Sequence, residues 1–130
     1  MKIPADRIEE IGHLILQCDD IADSQWHTLS FVFDITDGAI SNSGFLYKGE
    51  KVTPVIAEIE EHPLLLDDTI LDLRKEIAEK NGHKFFQFLI QLEKETGRIK
   101  VDLEFDNPDR WKITPGKLKE IRETLRPNFT

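Results

Sequence analysis

The chain has 130 residues, 39% of them hydrophobic and 32% charged, with 17 basic against 25 acidic side chains and a formal net charge of −8 at neutral pH. This composition suits one domain, residues 1–130, large enough to bury a core without staples, and it excludes a disordered chain. The acidity disfavours nucleic acid and anionic membranes as partners and favours basic protein surfaces, although a charge of this size also serves plain solubility.

Cys18 is the only cysteine, so no internal disulfide can form, which fits a reducing cytosol. Met1-Lys2 leads into a polar, acidic segment with no signal-peptide core, and no apolar run approaches the ~20 residues of a membrane span. The expected location is the cytoplasm.

The first element, "IPADRIEEIGHLILQCDDIAD", predicts a helix. Ile8, Ile11, Ile15, Cys18 and Ala22 recur at helical spacing, with Leu14 alongside. Pro4 suits a first turn, and Asp6, Glu9 and Glu10 suit the positive end of the helix dipole. Leu29, Phe31, Phe33 and Ile35 then alternate as a strand with one apolar face. Asp37-Gly38 signals a tight turn into a return strand containing Phe45, Leu46 and Tyr47. Lys48-Gly49-Glu50-Lys51 marks a second turn. Val52, Val55 and Ile56 begin a third strand, in which Pro54 signals an edge or a bulge.

A second helix is expected in "HPLLLDDTILDLRKEIAEKNGH", with Leu66, Ile70, Leu73 and Ile77 as its apolar stripe. Asp67 or Asp68 is placed to cap its start, and Asn81-Gly82 to end it. Two more strands follow. Phe86, Phe88, Ile90 and Leu92 alternate with Gln87, Leu89 and Gln91. Ile99, Val101, Leu103 and Phe105 alternate with Lys100, Asp102, Glu104 and Asp106. Gly97 is the left-handed residue of the hairpin between them. Thr114-Pro115 opens a last helix with Leu118, Ile121 and Leu125 as its stripe, ended by Pro127. The sum is an α+β domain of order α-β-β-(β)-α-β-β-α, with an antiparallel sheet of about four or five strands built from hairpins and three helices covering one face.

Catalytic signatures are sparse. His13, His27, His62 and His83 are dispersed, with no zinc spacing. No Gly-x-Ser-x-Gly, phosphate loop or dinucleotide fingerprint occurs, and Cys18 sits on an apolar stripe as a core residue. The pairs Asp19-Asp20, Glu60-Glu61 and Asp67-Asp68 read as solvated helix ends and caps rather than acid–base dyads. The sequence therefore implies no catalytic residue, no metal and no cofactor.

"VDLEFDNPDRW" carries more. Asp102, Glu104 and Asp106 should share the wet face of the last strand, with Asp109 following in the loop. They form either a solvated face paired locally by Arg98 and Lys100, or an acidic platform for a basic protein. Asn107-Pro108-Asp109 is turn chemistry. Arg110 has carboxylates on every side to pair with, and Trp111 reads as a packing anchor where the last helix meets the sheet.

The aromatic first hairpin "WHTLSFVFDITDG", the later hairpin ending in "VDLEFDNPDRW" and the closing "LKEIRETLRP" together resemble the YezG-like immunity proteins of bacterial polymorphic-toxin and contact-dependent growth-inhibition systems. The resemblance implies a cytosolic antidote that binds a cognate toxin domain, commonly a basic nuclease, and occludes its active site or substrate surface, with no enzymatic activity of its own. It fixes no site residues. The expected partner-binding set, a physical reading, is Tyr47, Asp102, Glu104, Asp106, Asp109 and Arg110. The alternatives are another acidic protein-binding module, such as an adaptor or effector chaperone, and a small carboxylate-dependent hydrolase.

Overall fold

The computed structural model describes residues 3–36 and 38–129. Met1, Lys2, Thr130 and Asp37, the last expected in the first tight turn, lie outside them. Five strands, β1 (Thr28–Thr36), β2 (Ala39–Lys48), β3 (Lys51–Val55), β4 (Gln87–Glu93) and β5 (Ile99–Glu104), form one open antiparallel sheet in the order β3-β2-β1-β4-β5. Four α-helices accompany it among the described residues: α1 (Ala5–Leu16), α2 (Asp19–Ala22), α3 (Leu65–Asn81) and α4 (Leu118–Thr124), the last preceded by a 3-10 turn at Pro115–Lys117.

The expected first helix is therefore two. Cys18 takes extended backbone at φ −62°, ψ 132° and separates α1 from α2. Its buried thiol donates back to the Leu14 carbonyl, and Asp19-Asp20 begin a new helix where negative charge favours an N-terminus. The break turns Ile21 into the core.

β1 is central, so both of its faces must be covered. Leu29, Phe31, Phe33 and Ile35 pack with Ile11 and Ile15 of α1 and with Leu66, Ile70, Leu73 and Ile77 of α3. The alternation that predicts this face survives intact. The opposite face is not open to water, contrary to the expectation that helices cover one side alone. Val32, Phe45, Tyr47 and Leu89 form a second apolar cluster, closed by Trp111, Ile121 and Leu125 of the C-terminal segment. Four large apolar side chains on one sheet face are too much to leave wet, and the last segment folds back over them.

The polar neighbours on that face fasten the segment down. Ser30 Oγ and Gln91 Nε2 both donate to the Leu125 carbonyl, at 2.5 and 3.0 Å. Gln87 Oε1 accepts the Trp111 N–H at 2.9 Å. Gly44 is required where β2 pairs with Phe31 of β1, since a Cβ there would sit 2.3 Å from the Ser30 carbonyl oxygen and 2.6 Å from the Phe31 ring.

β3 is an edge strand, as Pro54 signals. Beyond it the chain runs extended without a strand partner, and Asn42 replaces one. Its Oδ1 accepts the Ala57 N–H at 2.8 Å and its Nδ2 donates to the Ala57 carbonyl at 3.0 Å. The same Nδ2 reaches Asp67 Oδ1 at 3.3 Å, so one amide joins sheet, connection and helix. This contact takes Asp67 away from the capping role expected of it: the residue before α3 is Leu64, with no side-chain cap. The expected stop at Gly82 is present, at φ 77°.

Candidate functional site

The β5 corner assembles most of the expected partner-binding residues, but it uses several of them internally. Glu104 is only 9% exposed. Its Oε2 accepts the N–H groups of Asp106 and Asn107 at 2.9 and 3.0 Å, and its Oε1 accepts Arg110 Nη1 at 3.1 Å. The Asn107 and Asp106 amides, with Arg110 behind them, hold the Glu104 carboxyl below the usual carboxylate range. Glu104 is thus a fastener of the turn and not an exposed docking acid. A carboxylate placed just before a chain reversal finds the freed amides of that reversal, and this draws it inward.

Tyr47 also departs from expectation. It is 2% exposed, and its hydroxyl donates to the Arg122 carbonyl at 2.7 Å. Burial pushes its ionisation above the ordinary tyrosine range, and the Arg126 guanidinium covers the ring at 4.9 Å. Tyr47 therefore fastens α4 to β2 and is closed to a partner.

The remaining expected residues stay at the surface. Arg110 lies 4.5 Å over the Trp111 ring and reaches Asp102 at 3.8 Å as well as Glu104. Asp109 pairs with Lys112 at 3.6 Å, and Asn107 Oδ1 accepts the Asp109 N–H at 2.9 Å, closing the turn that its sequence predicts. Asp106 is exposed and makes no ion pair among the described residues. Trp111 is 5% exposed and packs in the second cluster, in the role its sequence suggests. The corner is thus partly neutralised from within: Arg110 and Lys112, a few residues downstream, face three of its four acids, and Asp106 alone is left without an ion pair among the described residues.

The unbalanced charge lies elsewhere. Residues 1–73 hold 15 of the 25 acids and 4 of the 17 cations, a net of −11, whereas residues 74–130 hold 10 acids and 13 cations, a net of +3. Asp19 and Asp20 of α2 and Glu58 and Glu60 of the β3–α3 connection are all exposed, and none forms an ion pair among the described residues. The Asp19 carboxyl, within hydrogen-bonding reach of Glu60, raises Glu60 above its ordinary value, with Glu58 adding to the effect. Burial, then Asp19 and Asp20, push the Cys18 thiol up to about 11, which leaves it a protonated core residue. Sequence reasoning missed this region because it read the acid pairs only as helix ends. The signal available was the run from Glu58 to Asp72, which contains no cation.

A second feature is apolar. A groove of about 550 Å³ runs between α1 and the β4–β5 turn, with Leu16, Trp26, Leu92 and Ile99 in its lining. Lys94 lies over the Trp26 ring at 5.3 Å. Among the described residues no group of three or more His, Cys, Asp or Glu side chains could hold a metal ion, and no helix is long and apolar enough to cross a membrane. The sequence matches no family model and none of the curated proteins.

Proposed function

We propose that the chain is a cytoplasmic immunity protein that binds and neutralises a cognate toxin domain, a basic nuclease in the reading that its charge favours. The observation that carries this is a group of exposed carboxylates, Asp19, Asp20, Glu58 and Glu60, that form no ion pair among the described residues, within a stretch, residues 1–73, of net charge −11. Such a surface steers a basic partner in and pairs with the cations that would otherwise hold a phosphate backbone. Neutralisation then needs no chemistry from the antidote. It needs acids held in place, so that little ordering remains to be done on binding. The Asn42 clip and the fastened C-terminal segment supply that rigidity.

The test is co-expression with any candidate toxin domain encoded upstream or downstream of the gene, scoring growth and co-purification. The expected result is rescue by a stoichiometric complex with that one fragment. An adaptor or chaperone would instead bind several unrelated basic clients, and failure to rescue or bind the neighbouring fragment overturns the toxin reading.

A further inference from the structure

We propose that a groove along edge strand β3, lined in part by Asp20 of α2 and continued by the acid-bearing β3–α3 connection, is the docking surface for a partner-protein segment carrying both lysine or arginine and an apolar anchor. The groove measures about 380 Å³ and is lined by Pro54, Val55, Ile56, Ile113, Leu118 and Asp20, among others. Its lining is largely apolar side chains, with Asp20 at the rim. Ile56 is 57% exposed although every described acid of the adjoining connection, Glu58, Glu60 and Glu61, also faces water. A large apolar side chain left in such company contributes nothing to the core and is available to a partner.

Three features define the occupant. Pro54 has no N–H to offer at the sheet edge, so the occupant engages side chains rather than adding a strand. Asp20 in the lining, its neighbour Asp19, and Glu60 and Glu58 near Asp19 form no ion pair among the described residues, so positive charge must come from outside. Like charges this close gain from a cation placed between them. Lys48 at the end of β2 and Lys51 at the start of β3 pair at the opposite end of the edge strand, beside the Gly49-Glu50 turn, which gives the surface a direction. The surface is also held in shape. Ala57 and Ile59 are buried on either side of Glu58, and Asn42 grips both backbone groups of Ala57. Exposed acids therefore alternate with anchored residues along the connection.

This inference rests on the protein-binding reading above but not on the partner being a toxin. Its test uses the full chain and a short synthetic peptide alternating lysine with leucine, with binding followed by fluorescence anisotropy and mapped by backbone amide shifts. Shifts should centre on residues 54–60, 19–20 and 113–118. Asp20→Asn combined with Glu58→Gln and Glu60→Gln should weaken binding by about tenfold or more, and Ile56→Ser by a few-fold. Asp102→Asn with Asp109→Asn should leave it unchanged. All these side chains are exposed, and circular dichroism confirms that each variant is folded. Shifts centred elsewhere, an equal loss in the Asp102/Asp109 control, or no effect of Ile56→Ser would each overturn the proposal, the last by reducing it to unspecific attraction of charge. Peptide docking here alongside failed toxin rescue would sink the toxin reading and leave the surface. Undiminished rescue by the triple variant would sink the surface and leave the toxin reading.

Discussion

The β5 corner and the β3 edge carry similar sequence signals and have opposite fates. Both are acid-rich stretches flanked by apolar residues. At the corner, Asp102 and Glu104 meet Arg110, and Asp109 meets Lys112, while two backbone amides take up the rest of Glu104. At the edge, Asp19, Asp20, Glu58 and Glu60 form no ion pair among the described residues. The difference teaches that an acidic run becomes a docking surface only where the rest of the chain fails to neutralise it. The corner, Asp106 apart, fails that condition because its cations follow within a few residues. The edge meets it because the cations of the chain are concentrated after residue 73.

The sharpest way to break this comparison is at Trp111. If the corner is a structural joint, Trp111→Ala should destabilise the fold by about 3–5 kcal/mol, read from the midpoint of chemical denaturation. Native stability with weakened partner binding would return the corner to the list of docking surfaces. Next in size is Gly44→Ala, in the floor of the β3 groove. A methyl group there meets the Ser30 carbonyl oxygen and the Phe31 ring, and should cost about 1–3 kcal/mol by overpacking. An unchanged midpoint would show that the groove has a soft floor, against the rigid presentation argued above.

Tyr47→Phe should cost about 1 kcal/mol, since it leaves the half-buried Arg122 carbonyl without the Tyr47 donor. It should not alter partner binding if the hydroxyl only fastens α4. A loss of binding at full stability would reinstate Tyr47 as a contact residue. Glu104 makes a pH test. Its carboxyl is held below the ordinary value in the fold, so the unfolded chain takes up the proton more readily. The stabilisation is therefore fully present above the unfolded value, near ~4.3, and is lost as pH falls through the lower folded value. Glu104→Gln should be less stable than the parent at neutral pH and approach it in acid. A constant difference across that window would mean that the amide and Arg110 contacts stabilise nothing. The smallest effect belongs to the edge: Asp20→Asn should change stability by no more than about 0.5 kcal/mol in either direction. A larger loss would show that the edge acids are structural after all.

Much of the fold is legible in the residues. Leu29, Phe31, Phe33 and Ile35 alternate because one face of a strand meets helices, and alternation records that directly. Pro54 marks an edge, Gly82 a helix end and Trp111 a packing anchor, each through a single local property. The candidate site was less legible. In the sequence, Gln87 and Gln91 read only as the alternates of an apolar strand, yet they hold the C-terminal segment through Trp111 and Leu125. Glu104 read as exposed because it alternates with apolar neighbours, and the turn that captures it begins only afterwards.

By itself, the sequence determined the α+β class, the pairing of neighbouring strands through tight turns, the apolar face of β1 and the net negative charge. These depend on periodicity, backbone preference and composition, which are properties of adjacent residues. Only the tertiary structure decided that both sheet faces are covered, that Tyr47 and Glu104 are enclosed, and that the unneutralised acids lie beside β3. Those outcomes depend on which distant residue arrives next to which: Leu125 over Ser30, Arg122 over Tyr47, Asp19 beside Glu60. No window of neighbouring positions contains both members of such a pair.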